Sequence, residues 1–182
     1  QKKLNSYFYD SVKSLVMLIE ARDHYTLGHS EAVAYYAEKI ALRMGIDPQT
    51  VDHFKRIVLL HDIGKVGVRD NILLKPEHLN SSEWDIIKTH PVLGEQILKP
   101  MINDPTMLAI VRNHHERVDG KGYPDGLTKT QIPLLVAIVT VADSYDAMTS
   151  NRAYRQALSK EQAMEQLINN RGSQFHPDVV DT

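Results

Sequence analysis

The stretch Leu59-Leu60-His61-Asp62-Ile63-Gly64-Lys65 constrains the fold more than any other. The apolar run Ile57-Val58-Leu59-Leu60 belongs in a core, and it carries a histidine and an aspartate there side by side. Polar groups taken into a core must be hydrogen-bonded, paired or bound to a metal. Histidine offers a neutral nitrogen ligand, and aspartate offers oxygens that can bridge two cations. Lys65 follows about a turn later, within reach of an anion held by such cations. The rest of the chain is therefore expected to surround His61 and Asp62 with further ligands.

The chain has 182 residues, 42% of them hydrophobic, enough for one domain with a full core and too few for two large ones. A net charge of -2 leaves no general basic field, which excludes broad nucleic-acid binding. An anionic substrate would need placed cations. Cysteine is absent, so disulfides and thiolate metal sites are excluded, and a reducing, cytoplasmic setting fits. Apolar runs fall well short of the roughly 18 residues a membrane span needs, so no membrane contact is expected. A start at Gln1 without Met suggests that residues 1–182 are a single domain excised from a longer chain.

The periodicity predicts an all-α chain. Leu4, Phe8, Val12, Leu15 and Leu18/Ile19 mark the apolar face of a first helix over residues 1–22. A second helix is expected from about Ser30 to Met44, with Gly45 as its stop. Asp47-Pro48 starts a third, which carries Phe54, Val58 and then His61-Asp62. Residues 66–80 read as irregular. Ser81 or Ser82 could cap a short helix holding Trp84, Ile86 and Ile87. Helices should open at Thr89-His90-Pro91 and at Pro105, the latter running to His114-His115. A long loop follows, Glu116 to Ile132, with Gly120, Gly122, Pro124 and Gly126. Pro133 to Thr149 admits a strand over residues 136–141, but its unbroken length favours a helix. A last helix spans about Lys160 to Asn169.

Nine histidines are present, and five of them sit at helix ends: His29, His61, His90, His114 and His115. Asp143 lies in an apolar run, Val141-Ala142-Asp143. Nitrogen and oxygen donors without thiolate suit two octahedral first-row metals, Fe, Mn, Co, Ni or Zn rather than Ca or Mg. Taken singly, each position has a plainer reading. A lone histidine near an apolar face is usually a hydrogen-bonded core residue, Asp62 could cap a turn, and Asp143 could pair with an arginine. His24, His53, His78 and His176 read as surface or structural. Spacing alone does not show that any of them converge.

Longer motifs match a family. They are Tyr25-Thr26-Leu27-Gly28-His29-Ser30, Leu59 through Val68 with Ile72-Leu73-Leu74-Lys75-Pro76, and Ile87-Lys88-Thr89-His90-Pro91 with Gly94. They continue with His114 through Pro124, Ala142 through Ser150, and Arg152 to Arg155. In this order, over about residues 20–180, the chain resembles the HD-GYP domains, a branch of the HD superfamily of metal-dependent phosphohydrolases.

The resemblance implies an all-α HD-superfamily helical bundle around a dinuclear or trinuclear metal centre, iron or manganese most often. By position the ligands are His29, His61, Asp62, His90, His114, His115 and Asp143, with Asp62 bridging. Some members bind a third metal through a Glu four residues before the first histidine; Tyr25 stands there, which favours two metals. The implied activity is that of a cyclic di-GMP phosphodiesterase, giving pGpG and in some members GMP, with a metal-bridging hydroxide as nucleophile. Asp62 and Lys65 would be catalytic. Arg152 and Arg155 would meet the substrate phosphate or guanine and Lys65 the phosphate; Lys121 and Asp146 are weaker candidates, for supporting a metal ligand or for substrate contact, and Tyr123 could stack on a guanine or simply pack. The Gly122-Tyr123-Pro124 loop would shape the pocket and can dock diguanylate cyclase domains. If the first helix continues upstream of Gln1, it would couple to a sensory or receiver domain and could form a homodimer. Other readings are a low-turnover cyclic-dinucleotide-binding signalling module, or a phosphodiesterase for another dinucleotide such as cyclic GMP-AMP. Ala153 and His176 depart from the common proline and aspartate at their positions, and neither falls on an implied ligand.

Overall fold

The computed structural model describes residues 14–22, 27–151 and 156–182. Leu4, Phe8, Val12, His24, Tyr25, Arg152, Ala153 and Arg155 lie outside the described residues. Among the described residues the structure is helical and has no strand; two isolated bridges, Asp119 with Thr128 and Arg171 with Phe175, tie loops together. The order is α1 (residues 14–20), α2 (His29–Arg43), α3 (Pro48–Val58), a 3-10 turn (Ile63–Gly67), α4 (Asp70–Leu73), α5 (Ser81–Ile87), α6 (His90–Leu98), α7 (Pro105–Asn113), α8 (Leu134–Thr149), α9 (Lys160–Asn169) and α10 (Pro177–Val180).

Helix α8 is the centre of the bundle. Leu135 through Ala142 are all buried on it, which resolves the strand-or-helix ambiguity of that run. Helices α2 and α8 pack together, α3 packs on α2 and α7, and α6 packs on α7 and the 3-10 turn. Val33, Ala37, Phe54, Val58, Ile110, Val111, Ile138 and Val139 fill the space between them. Complete burial of each larger side chain contributes about 1.5–3 kcal/mol.

Local chemistry sets the boundaries. Asp47 and Asp104 cap α3 and α7 by accepting from the backbone N–H groups of the first turn, ahead of Pro48 and Pro105. The cap of α5 is Asn80, in a capping box with Glu83, rather than Ser81 or Ser82. Asparagine places its acceptor ahead of the helix, while both serines already have helical backbone. Residues 66–80 are less irregular than expected, since Asp70–Leu73 forms one helical turn.

Helix α1 is turned relative to expectation. Val16 is buried and Ile19 packs on the core, whereas Leu15 and Leu18 are 46% and 66% exposed. The inward face also carries the buried carboxylate of Glu20, which accepts from the backbone N–H groups of Gly28 and Ser30 at 2.9 Å each. Gly28, in the left-handed region with φ 80°, has no side chain to cap α2, so Glu20 does so from the preceding helix. No helix among the described residues is long and apolar enough to cross a membrane.

Candidate metal centre

Three of the expected ligands share one construction. Past Val58, α3 tightens: His61 N–H reaches back to Val58 O, Ile63 N–H to Leu60 O and Lys65 N–H to Asp62 O. The Val58 carbonyl also accepts the His61 ring Nδ1–H at 2.7 Å. The Ile87 carbonyl does the same for His90 at 2.7 Å, and the Val111 carbonyl for His114 at 2.9 Å. Each histidine thus follows a β-branched residue by three positions at a helix end, where carbonyls lack helical partners. A carbonyl only accepts, so the proton lies on Nδ1 and Nε2 presents a lone pair.

Those lone pairs converge on Asp62. Asp62 Oδ1 lies 3.2 Å from His90 Nε2 and 3.8 Å from His114 Nε2. Its Oδ2 lies 3.5 Å from His61 Nε2 and 4.0 Å from His29 Nε2. Asp143, from α8, approaches His29 Nε2 at 3.2 Å and His115 at 4.0 Å. The donors fall into two groups: Asp62, His90, His114 and His115, and His29, His61 and Asp143, each with its ligand atoms within 4.8 Å of one another. All seven side chains singled out in the sequence are therefore brought together.

The arrangement fits a cation. His61 Nε2 and Asp62 Oδ1 are buried without a hydrogen-bond partner. His90 Nε2 and His114 Nε2 face each other at 3.3 Å, although both rings spend their proton on a carbonyl. Acceptors pointed at acceptors repel unless a positive charge lies among them. Imidazole and carboxylate together suit a divalent transition ion.

A family profile described as HD domain matches residues 13–179. The chain belongs to the HD domain family. A cyclic di-GMP phosphodiesterase of Thermotoga maritima is 39% identical over 178 residues, covering 96% of this chain and 48% of that protein. A 3′3′-cGAMP-specific phosphodiesterase of Vibrio cholerae is 36% identical over 174 residues, covering 96% of this chain and 38% of that protein. The chain thus spans about half or less of the curated relatives it matches. An HDGYP protein of Bdellovibrio bacteriovorus superposes with a TM-score of 0.70 at 20% identity, over 97% of this chain and 61% of that one, and shares the fold. These relatives agree with the HD-GYP resemblance read from the motifs.

Charge in the HD domain follows burial and pairing. Burial alone would push the Asp62 carboxyl up, but Lys65 and the surrounding histidines hold it well below the usual carboxylate range. Lys65 Nζ donates to Asp62 Oδ2 at 2.6 Å. Burial lowers His61 to about 4 and pushes His115 well below its ordinary value, so both rings are neutral and free to coordinate. His29 is the exception. Burial opposes its charge, but Asp143 and Asp146 raise it to about 9. Its Nε2 holds a proton against Asp143 that a cation would displace.

Several residues have duties that residue type alone did not reveal. Asp146, a weak candidate for supporting a metal ligand or touching substrate, is buried one turn after Asp143 and accepts from His29 Nδ1 at 2.6 Å, which fits the first of these roles. It aims the imidazole, as carboxylate partners of ligating histidines do. Removing it in Asp146→Ala is expected to weaken metal affinity about 10- to 100-fold with the helical content unchanged, as checked by calorimetric metal titration and circular dichroism. Glu116, buried directly after the two histidines, accepts from the backbone N–H groups of Asp125, Gly126 and Leu127 at 2.7, 3.1 and 2.9 Å. Arg112 fixes the same loop from outside by gripping Asp125 with two N–H groups and Glu95 with a third.

This loop forms one wall of the centre. A Cβ on Gly122 would lie 2.4 Å from Arg117 N and 2.5 Å from Glu116 Cα, so only glycine lets it fold back so closely. Tyr123, joined to Pro124 by a cis peptide bond, lies over His115 with ring centroids 4.8 Å apart. Lys121 and Tyr123 line a cavity of about 190 Å³ with His114, His115 and Arg117.

Proposed function

We propose that this chain is a metal-dependent phosphodiesterase that hydrolyses cyclic di-GMP to pGpG, with GMP as a further product, acting in the cytoplasm. The carrying observation is the two donor groups with Asp62 between them, one carboxylate oxygen toward each. In this reading His29, His61 and Asp143 hold one ion, His90, His114 and His115 hold the other, and Asp62 bridges. Five imidazoles and two carboxylates suit divalent transition ions, and the HD-GYP resemblance favours Fe or Mn among them, with Ni, Co or Zn as substitutes. When bound, such a pair supplies Lewis-acid polarisation of the phosphoryl group and water acidified to near neutral pKa.

The chain's own groups do the rest. Ionised Asp62 brings negative charge to the point where the two donor groups meet. Lys65 keeps it ionised, and its ammonium group faces the charge that develops on the phosphate oxygens in the transition state. Asp146 keeps the His29 ring in register. The loop held by Glu116 places Tyr123 against His115 and shapes the cavity beside it. Lys65→Ala is expected to retain metal and lower kcat on the order of 10²-fold, read by elemental analysis beside steady-state turnover.

Relatives named for cyclic di-GMP and for 3′3′-cGAMP match this chain about equally, 39% and 36%. The decisive assay therefore offers both dinucleotides separately to metal-loaded protein and resolves products by chromatography. Preferential formation of pGpG or GMP from cyclic di-GMP supports the reading. Preference for the mixed dinucleotide reassigns the substrate, and no product from either leaves a low-turnover binding module. Arg152 and Arg155 keep their proposed contacts with phosphate or guanine, and Lys121 and Tyr123 theirs from the loop. The exposed Leu15, Met17 and Leu18 support a homodimer through the N-terminal helix. The Gly122-Tyr123-Pro124 loop is the proposed docking point for a diguanylate cyclase domain.

A further inference from the structure

Helix α5 buries none of its residues, yet it is firmly held. Asn80 and Glu83 form its capping box, Lys75 donates to both Glu83 oxygens at 2.8 Å, and the Ile87 carbonyl is tied to His90. On its outer face stands Trp84, the single tryptophan of the chain, 48% exposed. Beside it Asp85 and Lys88 form an ion pair at 2.7 Å, with Asp85 70% exposed. With Ser81 and Tyr123 these residues line a cavity of about 340 Å³. Tyr123 also lines the cavity that contains His114 and His115, so the two spaces adjoin through one aromatic ring. Core packing does not account for an indole held outward on a capped helix, lining an open cavity together with a tyrosine.

We propose that this face of α5 is a guanine subsite of the same active site, with Trp84 and Tyr123 as stacking surfaces and Asp85 as the acceptor for the base. The inference rests on the phosphodiesterase reading and extends it to base recognition. Guanine offers adjacent N1–H and N2–H donors on one edge, which a carboxylate matches with its two oxygens. Its O6 and N7 acceptors suit the ammonium of Lys88. Adenine lacks the paired donors, so Asp85 gives selectivity and Trp84 gives affinity. Aromatic stacking tolerates any base, because every base has a π face.

The single tryptophan makes the test direct. Metal-loaded protein is titrated with GMP while Trp84 emission is followed, and cyclic di-GMP turnover is measured for wild type, Trp84→Ala, Trp84→Phe and Asp85→Asn. The expected results are quenching by GMP, a KM about tenfold higher in Trp84→Ala with kcat changed less than about twofold, and most of the affinity restored by Trp84→Phe. Asp85→Asn is expected to lower the preference for cyclic di-GMP over cyclic di-AMP. An unaltered KM in Trp84→Ala, with cleavage intact and no quenching, overturns the subsite. Quenching without any cleavage by wild type keeps the subsite and overturns the phosphodiesterase reading, so the two failures are told apart.

Discussion

Asp62→Ala is expected to lose metal and activity together. Asp62 has oxygens facing both donor groups at short range, 3.2 Å from His90 Nε2 on one side and 3.5 Å from His61 Nε2 on the other. Its removal takes away the Asp62–Lys65 ion pair and a negative charge where cations should bind. The drop in kcat/KM should be at least on the order of 10³-fold, with metal content falling in parallel. The fold should persist, because the helices packed around the site do not depend on this side chain. Retained activity in a protein of normal metal content would refute the bridging role.

Gly64→Ala is expected to have the largest effect on the fold itself. A Cβ at this position would lie 1.9 Å from the His90 carbonyl oxygen and 2.6 Å from the Gly94 backbone nitrogen. Neither contact can yield by rotating a side chain, so the 3-10 turn must lift off α6 and carry Asp62 away from His90. Overpacking of this kind costs about 3 kcal/mol, which for a chain of this size lowers Tm on the order of 10 °C. Gly67→Ala is the control. The clash there is with the end of the Leu93 side chain, which can rotate away, so a much smaller shift is expected in the same melting experiment.

The fold was legible wherever a signal was local. The apolar run of α8, the prolines that open α3, α6 and α7, and the histidines at helix ends all show in short windows of sequence. All seven donor positions were found from motif order, and their convergence is a matter of tertiary structure. What escaped were hydrogen bonds between distant residues. Nothing near Asp146 indicates His29, 117 positions away, as its partner. Glu20 reads as one more polar residue on an amphipathic helix, and only the uncapped start of α2 explains why it turns inward and leaves Leu15 and Leu18 outside. Glu116 was visible within its motif, but its work, three backbone N–H groups 9 to 11 residues ahead, depends on how the loop folds back. One local signal went unused: a β-branched residue three positions before His61, His90 and His114 marks the carbonyl that aims each ring.

The most direct test is an anaerobic titration of metal-free protein with Fe(II), and separately with Mn(II), while cyclic di-GMP cleavage is followed. Activity that rises from zero and levels off at two equivalents per chain is the predicted result. Cleavage by the metal-free protein, or turnover that stays absent with both donor groups filled, would contradict it.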